Sequence, residues 1–305
     1  METKRYLSQG YLLDQYRIER LLGGGGFSLV YLAYHIPTQA RVVIKEYCPD
    51  ELCTRLPGGR VEPAAEERLP AFRAGIKRFF AEAQALAGVN HPNIVQVTNI
   101  FRANNTVYMV MDYREGKDLR WFVKRHRRRL NTEFLRMVFP PLLRGLQAFH
   151  DQGLLHLDIK PANILLRRDG TPVLLDFGAV QHFRLDAEAN RSQTLTLGFA
   201  PLEQHRHGQL GPWTDVYAMG ATLYSCITGR APPPAPERAR QDRMAPACRL
   251  FSRHPRQLLR AVDWALRMDH RERPQTALQL LEAGFGEPSP GRAGLRLPFG
   301  RREAR

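Results

Sequence analysis

No stretch of the 305 residues approaches the roughly 18 uninterrupted apolar residues that cross a bilayer, so hydropathy gives no membrane span. The first ten residues carry charge without an apolar core, which argues against a secretory signal. Cysteine is scarce. Cys48, Cys53, Cys226 and Cys248 are too few for a disulfide framework, and a reducing cytoplasm is the natural setting. Cys48 and Cys53 stand five apart, yet no His–Cys cluster completes a four-ligand metal site. There is no internal repeat and no nucleic-acid-binding module. Acidic residues are in deficit, 30 against 45 basic, for a formal charge of +15. Such basicity suits nucleic acid, acidic lipid or acidic substrates. Much of it sits in Lys124–Arg129 and after Gly286, without interleaved aromatics, and reads most simply as a solvated face and a loose tail.

What is present is an ordinary globular composition, 43% hydrophobic and 25% charged, in a chain long enough for two cores. Residues 16–48 alternate apolar and polar positions around a glycine cluster, predicting twisted antiparallel strands. Pro57–Gly59 signals a turn. Phe72, Ile76, Phe79, Phe80, Ala83 and Leu86 recur at helical spacing within 66–87. Two further strands are predicted over 93–102 and 106–113, turning at Asn104–Asn105. After Gly116 the pattern becomes mainly helical. A helix is predicted to open at Thr132 and run toward His150, interrupted at Pro140–Pro141, with later helices over 213–229, 255–268 and 275–284. Residues 46–80 exceed a minimal strand-to-helix connection, and Pro49–Val61 within them reads as a plain loop, a segment packed on the strands or a docking surface.

Four segments carry chemistry. Gly23-Gly24-Gly25-Gly26-Phe27-Ser28-Leu29-Val30 follows a predicted strand, and glycines let backbone N–H groups approach phosphates. By itself this segment reads equally well as a hairpin turn. Lys45 ends the apolar run Val42-Val43-Ile44, where a buried cation needs an anion such as a phosphate, and Glu82 is the candidate carboxylate partner. Asp158 and Asn163 share the loop His156-Leu157-Asp158-Ile159-Lys160-Pro161-Ala162-Asn163, and Asp176-Phe177-Gly178 follows the strand Val173-Leu174-Leu175. Hard oxygen ligands suit Mg²⁺, and one further carboxylate can orient a hydroxyl nucleophile. A phosphate cradle, a cation, metal ligands and a base are the parts phosphoryl transfer requires.

In this order, over roughly residues 16–285, the motifs resemble the protein-kinase family, and Ile44-Lys45-Glu46-Tyr47-Cys48-Pro49 is similar to bacterial serine/threonine members. The resemblance implies an α+β fold of two lobes across residues 11–285. The small lobe, 11–112, would be an antiparallel sheet with one main helix, and the larger lobe, 113–285, mainly helical; residues 286–305 would be a basic, disordered tail. ATP and Mg²⁺, or Mn²⁺ in its place, would lie in the cleft. Gly23, Gly25 and Gly26 would cover the nucleotide. Val30, Met111, Asp112, Tyr113, Asp118 and Leu165 would line its site, with Met111 as gatekeeper, Asp112–Tyr113 as hinge and Asp118 near the ribose. Lys45 would hold phosphates and pair with Glu82. Asp158 would be the base, Lys160 would meet the γ-phosphate, and Asn163 and Asp176 would bind the metal. Thr196 would stand beside the acceptor pocket, Glu203 would pair with Arg273, Asp215 would anchor the catalytic loop, and His156 would be structural. The implied partners are protein substrates and a regulatory protein, with no specific nucleic acid.

Three departures stand out. Ser28 replaces the third glycine, and Val43 replaces the usual alanine against adenine. Leu157 stands where regulated members carry an arginine that binds a loop phosphate, so activity is expected not to depend on phosphorylation of that loop. The competing readings are a pseudokinase scaffold, which usually lacks one of Lys45, Glu82, Asp158, Asn163 or Asp176, and a small-molecule kinase, which lacks the Ala200-Pro201-Leu202-Glu203 segment. The tail carries arginines among Leu295, Leu297 and Phe299, and a weak amphipathic contact with acidic lipid is the alternative to simple disorder.

Overall fold

Alternating buried and exposed positions after residue 11 build the first sheet of the computed structural model, which describes residues 5–176, 181–182, 195–250 and 253–286. The chain divides into two compact units. The first comprises the chain to Asn90 with Val95–Arg114, and the second His91–Ile94 with the chain from Glu115.

In the first unit, β1 (Leu12–Leu13), β2 (Tyr16–Gly24), β3 (Ser28–His35) and β4 (Ala40–Tyr47) are consecutive neighbours. A small hairpin follows, β5 (Cys53–Arg55) with β6 (Val61–Pro63), then α1 (Leu69–Ala87). The strands β7 (Val97–Ala103) and β8 (Thr106–Asp112) close a six-stranded sheet of order β1-β2-β3-β4-β8-β7, antiparallel at every pairing. Asn104 and Asn105 both adopt positive φ, as the β7–β8 turn demands. The helix buries Phe72, Phe79, Ala83 and Leu86 on one face.

The 49–61 segment is not a plain loop. Its hairpin brings Arg55 to Glu46, and the pair is buried, with side chains 3% and 0% exposed. Glu46 Oε2 accepts from Arg55 Nη2 (2.5 Å) and Tyr31 Oη (2.7 Å), and Oε1 from Tyr108 Oη (2.5 Å). Arg55 also donates to the carbonyls of Gly59 and Arg5. Burial and the Glu46 charge push both tyrosine hydroxyls up, keeping them protonated donors.

The second unit opens with β9 (Gly116–Asp118) and α2 (Leu119–Arg125), followed by α3 (Thr132–Asp151). Contrary to the sequence expectation, α3 runs unbroken through Pro140 and Pro141. Its buried stripe, from Phe134 and Leu135 through Val138, Phe139, Leu142 and Leu143 to Leu146 and Phe149, continues across the prolines. At about 1.5–3 kcal/mol per buried side chain, that stripe outweighs the roughly 3 kcal/mol an interior proline costs. The helix opens at Thr132 as expected, capped by Asn131, whose Oδ1 accepts from Phe134 N (2.9 Å).

Short strands come next: β10 (Leu154–Leu155), β11 (Ile164–Arg167), β12 (Pro172–Leu174) and β13 (Gln181–His182). The set β12-β11-β9 forms one sheet and β10-β13 another. The remaining helices are α4 (Leu202–His205), α5 (Pro212–Thr228), α6 (Ala235–Arg240), α7 (Arg256–Ala265) and α8 (Ala277–Phe285). Helix α5 is buried from Thr214 to Cys226 and ends at Gly229 in the left-handed conformation (φ 77°). Residues 91–94, which precede β7 in the chain, group with the second unit. They do so because Asn93 Nδ2 donates to Pro172 O (2.7 Å) and Leu174 N to Asn93 O (2.8 Å). Among the described residues no helix is long and apolar enough to cross a membrane.

Candidate active site

Within the first unit, sheet register aligns the predicted nucleotide residues. Lys45 of β4 lies opposite Val30 of β3 and Met109 of β8, and Val43 opposite Met111. Lys45 is buried at 6% exposure, a site an ammonium group occupies only with anionic company. Glu82 is half-buried on α1, which packs against β4, β7 and β8. Gly23 and Gly24 end β2 opposite Val30 and Leu29, and Gly25 N bonds Ser28 O (3.0 Å) to close the turn. A Cβ at Gly23, Gly25 or Gly26 would meet no atom within 4 Å, so the space beside the exposed loop has room for a phosphate chain. Met111 is buried, Asp112 pairs with Arg114 (2.6 Å), and Tyr113 is half-buried.

Within the second unit a polar constellation surrounds Asp158. Lys160 Nζ donates to Oδ2 (2.7 Å) and Oδ1 (3.0 Å), Thr196 Oγ1 donates to Oδ1 (2.8 Å), and Asn163 Nδ2 donates to Oδ2 (3.0 Å) and to the Asp158 carbonyl (2.9 Å). Lys160 Nζ also reaches Thr196 Oγ1 (3.0 Å). A carboxylate oriented by a cation, an amide and a hydroxyl is positioned to accept from an incoming hydroxyl. With its N–H donors committed to Asp158, Asn163 has its side-chain oxygen to offer a cation.

Asp176 is exposed and left-handed (φ 56°), an uncommon state for a non-glycine residue that clusters at functional sites. Leu175 N donates to Asn163 O (2.8 Å), and Ile164 pairs with Leu174, so the β11–β12 hairpin ties the Asn163 segment to the Asp176 segment. Among the described residues no group of three or more His, Cys, Asp and Glu gathers as a metal site. Asn163 and Asp176 offer oxygen donors, a chemistry that suits a hard cation. Asp118 pairs with Leu165 across β9–β11 and caps α2, accepting from Trp121 N (2.7 Å). Phe177 and Gly178 lie outside the described residues.

The scaffold beneath this loop is buried Asp215 on α5. Its carboxylate accepts from His150 Nε2 (2.9 Å), His156 N (2.8 Å) and Leu157 N (2.8 Å). Burial alone would raise the Asp215 acid, but these donors and the adjacent imidazoles hold it below the usual range. They also fix Leu157, a bulky residue at φ 62°, whose carbonyl is held by Gln204 Nε2 (3.0 Å). His156 is fully buried. Desolvation lowers its basicity against nearby carboxylates, and its bonds define a neutral ring in which Nε2 donates to Leu175 O (3.0 Å) and Nδ1 accepts from Asp158 N (3.2 Å).

The expected pairing of Glu203 with Arg273 is present and buried, at 2.6 and 3.1 Å, with Arg273 stacked over Tyr217. The sequence reading missed Glu46 and Arg55. The only available signal was a second charge next to Lys45 in an apolar strand.

Comparison with known proteins adds four findings. Residues 16–285 match the family model described as the protein kinase domain. The chain is 29% identical over 219 residues to the serine/threonine-protein kinase PrkC of Bacillus subtilis, covering 72% of this chain and 31% of that protein. It is 32% identical over 232 residues to serine/threonine-protein kinase D of Synechocystis, covering 72% and 42%. The chain thus spans less than half the length of either relative. A solved structure described as the apo form of PpkA-294 superposes with a TM-score of 0.82 at 33% identity, covering 92% of this chain and 99% of that one.

Proposed function

The chain belongs to the protein kinase family, and from that premise we propose that it transfers the γ-phosphate of ATP to serine and threonine hydroxyls of protein substrates. The observation that carries this reading is the Asp158 carboxylate gathered by Lys160, Asn163 and Thr196 on a loop held by buried Asp215. Asp158 accepts the proton side of the acceptor hydroxyl and aims its oxygen. Lys160 balances the carboxylate and offers its charge to the transferred group, and Thr196 limits the approach to Asp158. Lys45 neutralises phosphate charge from a dry position on β4, aligned by Glu82, while the glycine-rich loop supplies backbone N–H donors. Asn163 and Asp176 would hold Mg²⁺, which when bound neutralises charge on the phosphates. Asp112 and Tyr113 offer backbone groups to the base, and Val30, Met111, Asp118 and Leu165 complete the nucleotide surface.

A second element of the proposal concerns control. Leu157 offers no cation to a phosphate, so activity is independent of phosphorylation at Ser192 and Thr194, both outside the described residues.

The test uses purified protein, labelled ATP and a generic basic protein with Mg²⁺ or Mn²⁺. Label on serine or threonine supports the reading. A folded, ATP-binding protein that labels nothing with either metal favours a scaffold, and label on a small molecule alone favours the other kinase class.

A further inference from the structure

Two buried thiols face each other beside the strand that carries Lys45. Cys48 follows β4 and Cys53 opens β5, at 2% and 6% exposure. The turn between them closes by Leu52 N and Cys53 N donating to Pro49 O, both 3.2 Å. Their sulfurs are 3.7 Å apart, and Cys53 Sγ also lies 3.2 Å from Pro49 O. Arg55 Nη2 stands 3.8 Å from Cys48 Sγ, and Arg5 Nη2 is 3.4 Å from the Cys48 carbonyl.

We propose that Cys48 and Cys53 are a redox-modification site, joined by peroxide into a reversible disulfide that stiffens the turn supporting the glycine-rich loop. Cys48 is the attacking sulfur. The hydrogen bond from Cys53 favours its thiolate against the penalties of burial and of the nearby Glu46 carboxylate, and the guanidinium groups of Arg55 and Arg5 add to it. Cys53 is pushed the other way, by its bond to Cys48 and by burial, and serves as the resolving thiol. The Cys48 thiolate attacks one peroxide oxygen, forming S–O as O–O breaks, and the departing hydroxide takes a proton as water. Cys53 sulfur then attacks Cys48 sulfur. S–S forms, S–O breaks, and the second hydroxide leaves as water with the Cys53 proton. The two thiols give up two electrons and one peroxide becomes two waters. A dithiol reductant reverses the bond by thiol–disulfide exchange.

The turn is also the support of the glycine-rich loop. Cys48 N donates to Phe27 O (3.2 Å), Asp50 N to Gly26 O (2.9 Å), and Arg5 Nη2 to Gly25 O (3.4 Å), with Arg5 ion-paired to Asp50. Drawing the sulfurs from 3.7 Å to the roughly 2.05 Å of a disulfide removes freedom from this turn. Any consequence for nucleotide binding rests on the kinase reading. The disulfide itself does not, so it is tested without ATP.

Trypsin, cutting after Lys45 and Arg55, releases Glu46–Arg55 with both cysteines on one peptide. The whole chain is reduced, treated with hydrogen peroxide, quenched, unfolded in one alkylating reagent, reduced, and labelled with a second, heavier one. The expected result is the second label on both Cys48 and Cys53, and the first label on Cys226, buried in α5, and on exposed Cys248. First label on Cys48 and Cys53, or pairing of either with Cys226, Cys248 or another chain, overturns the proposal. In Cys53→Ser, Cys48 should be trapped as a sulfenic acid by a dimedone probe, and in Cys48→Ser, Cys53 should stay a thiol. The reverse pattern overturns the assigned order of attack. Amide exchange of Cys48 and Asp50 should slow by about threefold or more on oxidation. Unchanged exchange in a protein carrying the disulfide overturns the link to the glycine-rich loop.

Discussion

Replacing Arg55 with methionine keeps most of the side-chain stem but leaves the Glu46 carboxylate inside the first unit without its cation. The wild-type pair is dry, and the carboxylate is held at 2.5 Å by Arg55, 2.7 Å by Tyr31 and 2.5 Å by Tyr108. The two tyrosine bonds survive the change, each worth about 1.5–3 kcal/mol as a hydrogen bond to a charged group. The lost guanidinium bonds to Glu46, Gly59 and Arg5, with the stranded charge, set the cost at about 3–5 kcal/mol. Glu46→Gln should cost less, because a neutral amide needs no counter-charge. The double variant Arg55→Met, Glu46→Gln should be less destabilised than the sum of the singles by about 1–3 kcal/mol. Urea unfolding followed by backbone circular dichroism, with amide exchange in β3, β4 and β8, measures these values. Trp121, Trp213 and Trp264 all lie in the second unit, so their fluorescence reports that unit separately. An Arg55→Met protein within about 1 kcal/mol of wild type, or a strictly additive double variant, would refute the account of Glu46 as a charged hub.

Other consequences follow from the same physics. Tyr31 and Tyr108 are pushed up, so the folded state stays protonated while the unfolded chain ionises; stability should fall as pH rises past about 10, and less steeply in Tyr31→Phe. Desolvation lowers His91, His156, His205 and His254, so the unfolded state binds more protons below its imidazole pKa; stability should be complete above about pH 6.5, decline on acidification, and show a shallower slope in His156→Gln. Arg273→Met strands the Glu203 carboxylate and should lower stability by about 3–5 kcal/mol in denaturant titration, where a loss below about 1 kcal/mol would contradict the buried pair. Ser192→Ala and Thr194→Ala should leave phosphate transfer within about twofold of wild type, and a loss rescued by an acidic residue would show that Leu157 does not release the enzyme from loop phosphorylation.

The strands around the glycine cluster, helix α1 and the buried Glu203–Arg273 pair were legible because each follows from local periodicity or from a motif of fixed spacing. The same holds for the loop of Asp158, Lys160 and Asn163, whose residues lie within six positions of one another. What escaped the sequence depends on tertiary packing. Arg55 is nine residues from Glu46, in strands of three residues too short to show alternation, and only the folded hairpin makes the two partners. Pro140 and Pro141 signal a break by local chemistry, and the continuous apolar stripe of α3 overrides it. Residues 91–94 precede a first-unit strand yet bond Pro172 and Leu174, about eighty positions away.

In the proposed reaction Asp158 aims an acceptor hydroxyl while other residues bind the nucleotide. Asp158→Asn keeps the shape of the loop and removes the charge. The measurement is ATP affinity by titration and phosphate transfer by single turnover, on wild type and variant with Mg²⁺. ATP affinity should stay within about threefold of wild type and transfer should fall by a factor on the order of 10²–10⁴. Transfer at the wild-type rate in the variant would contradict this role of Asp158.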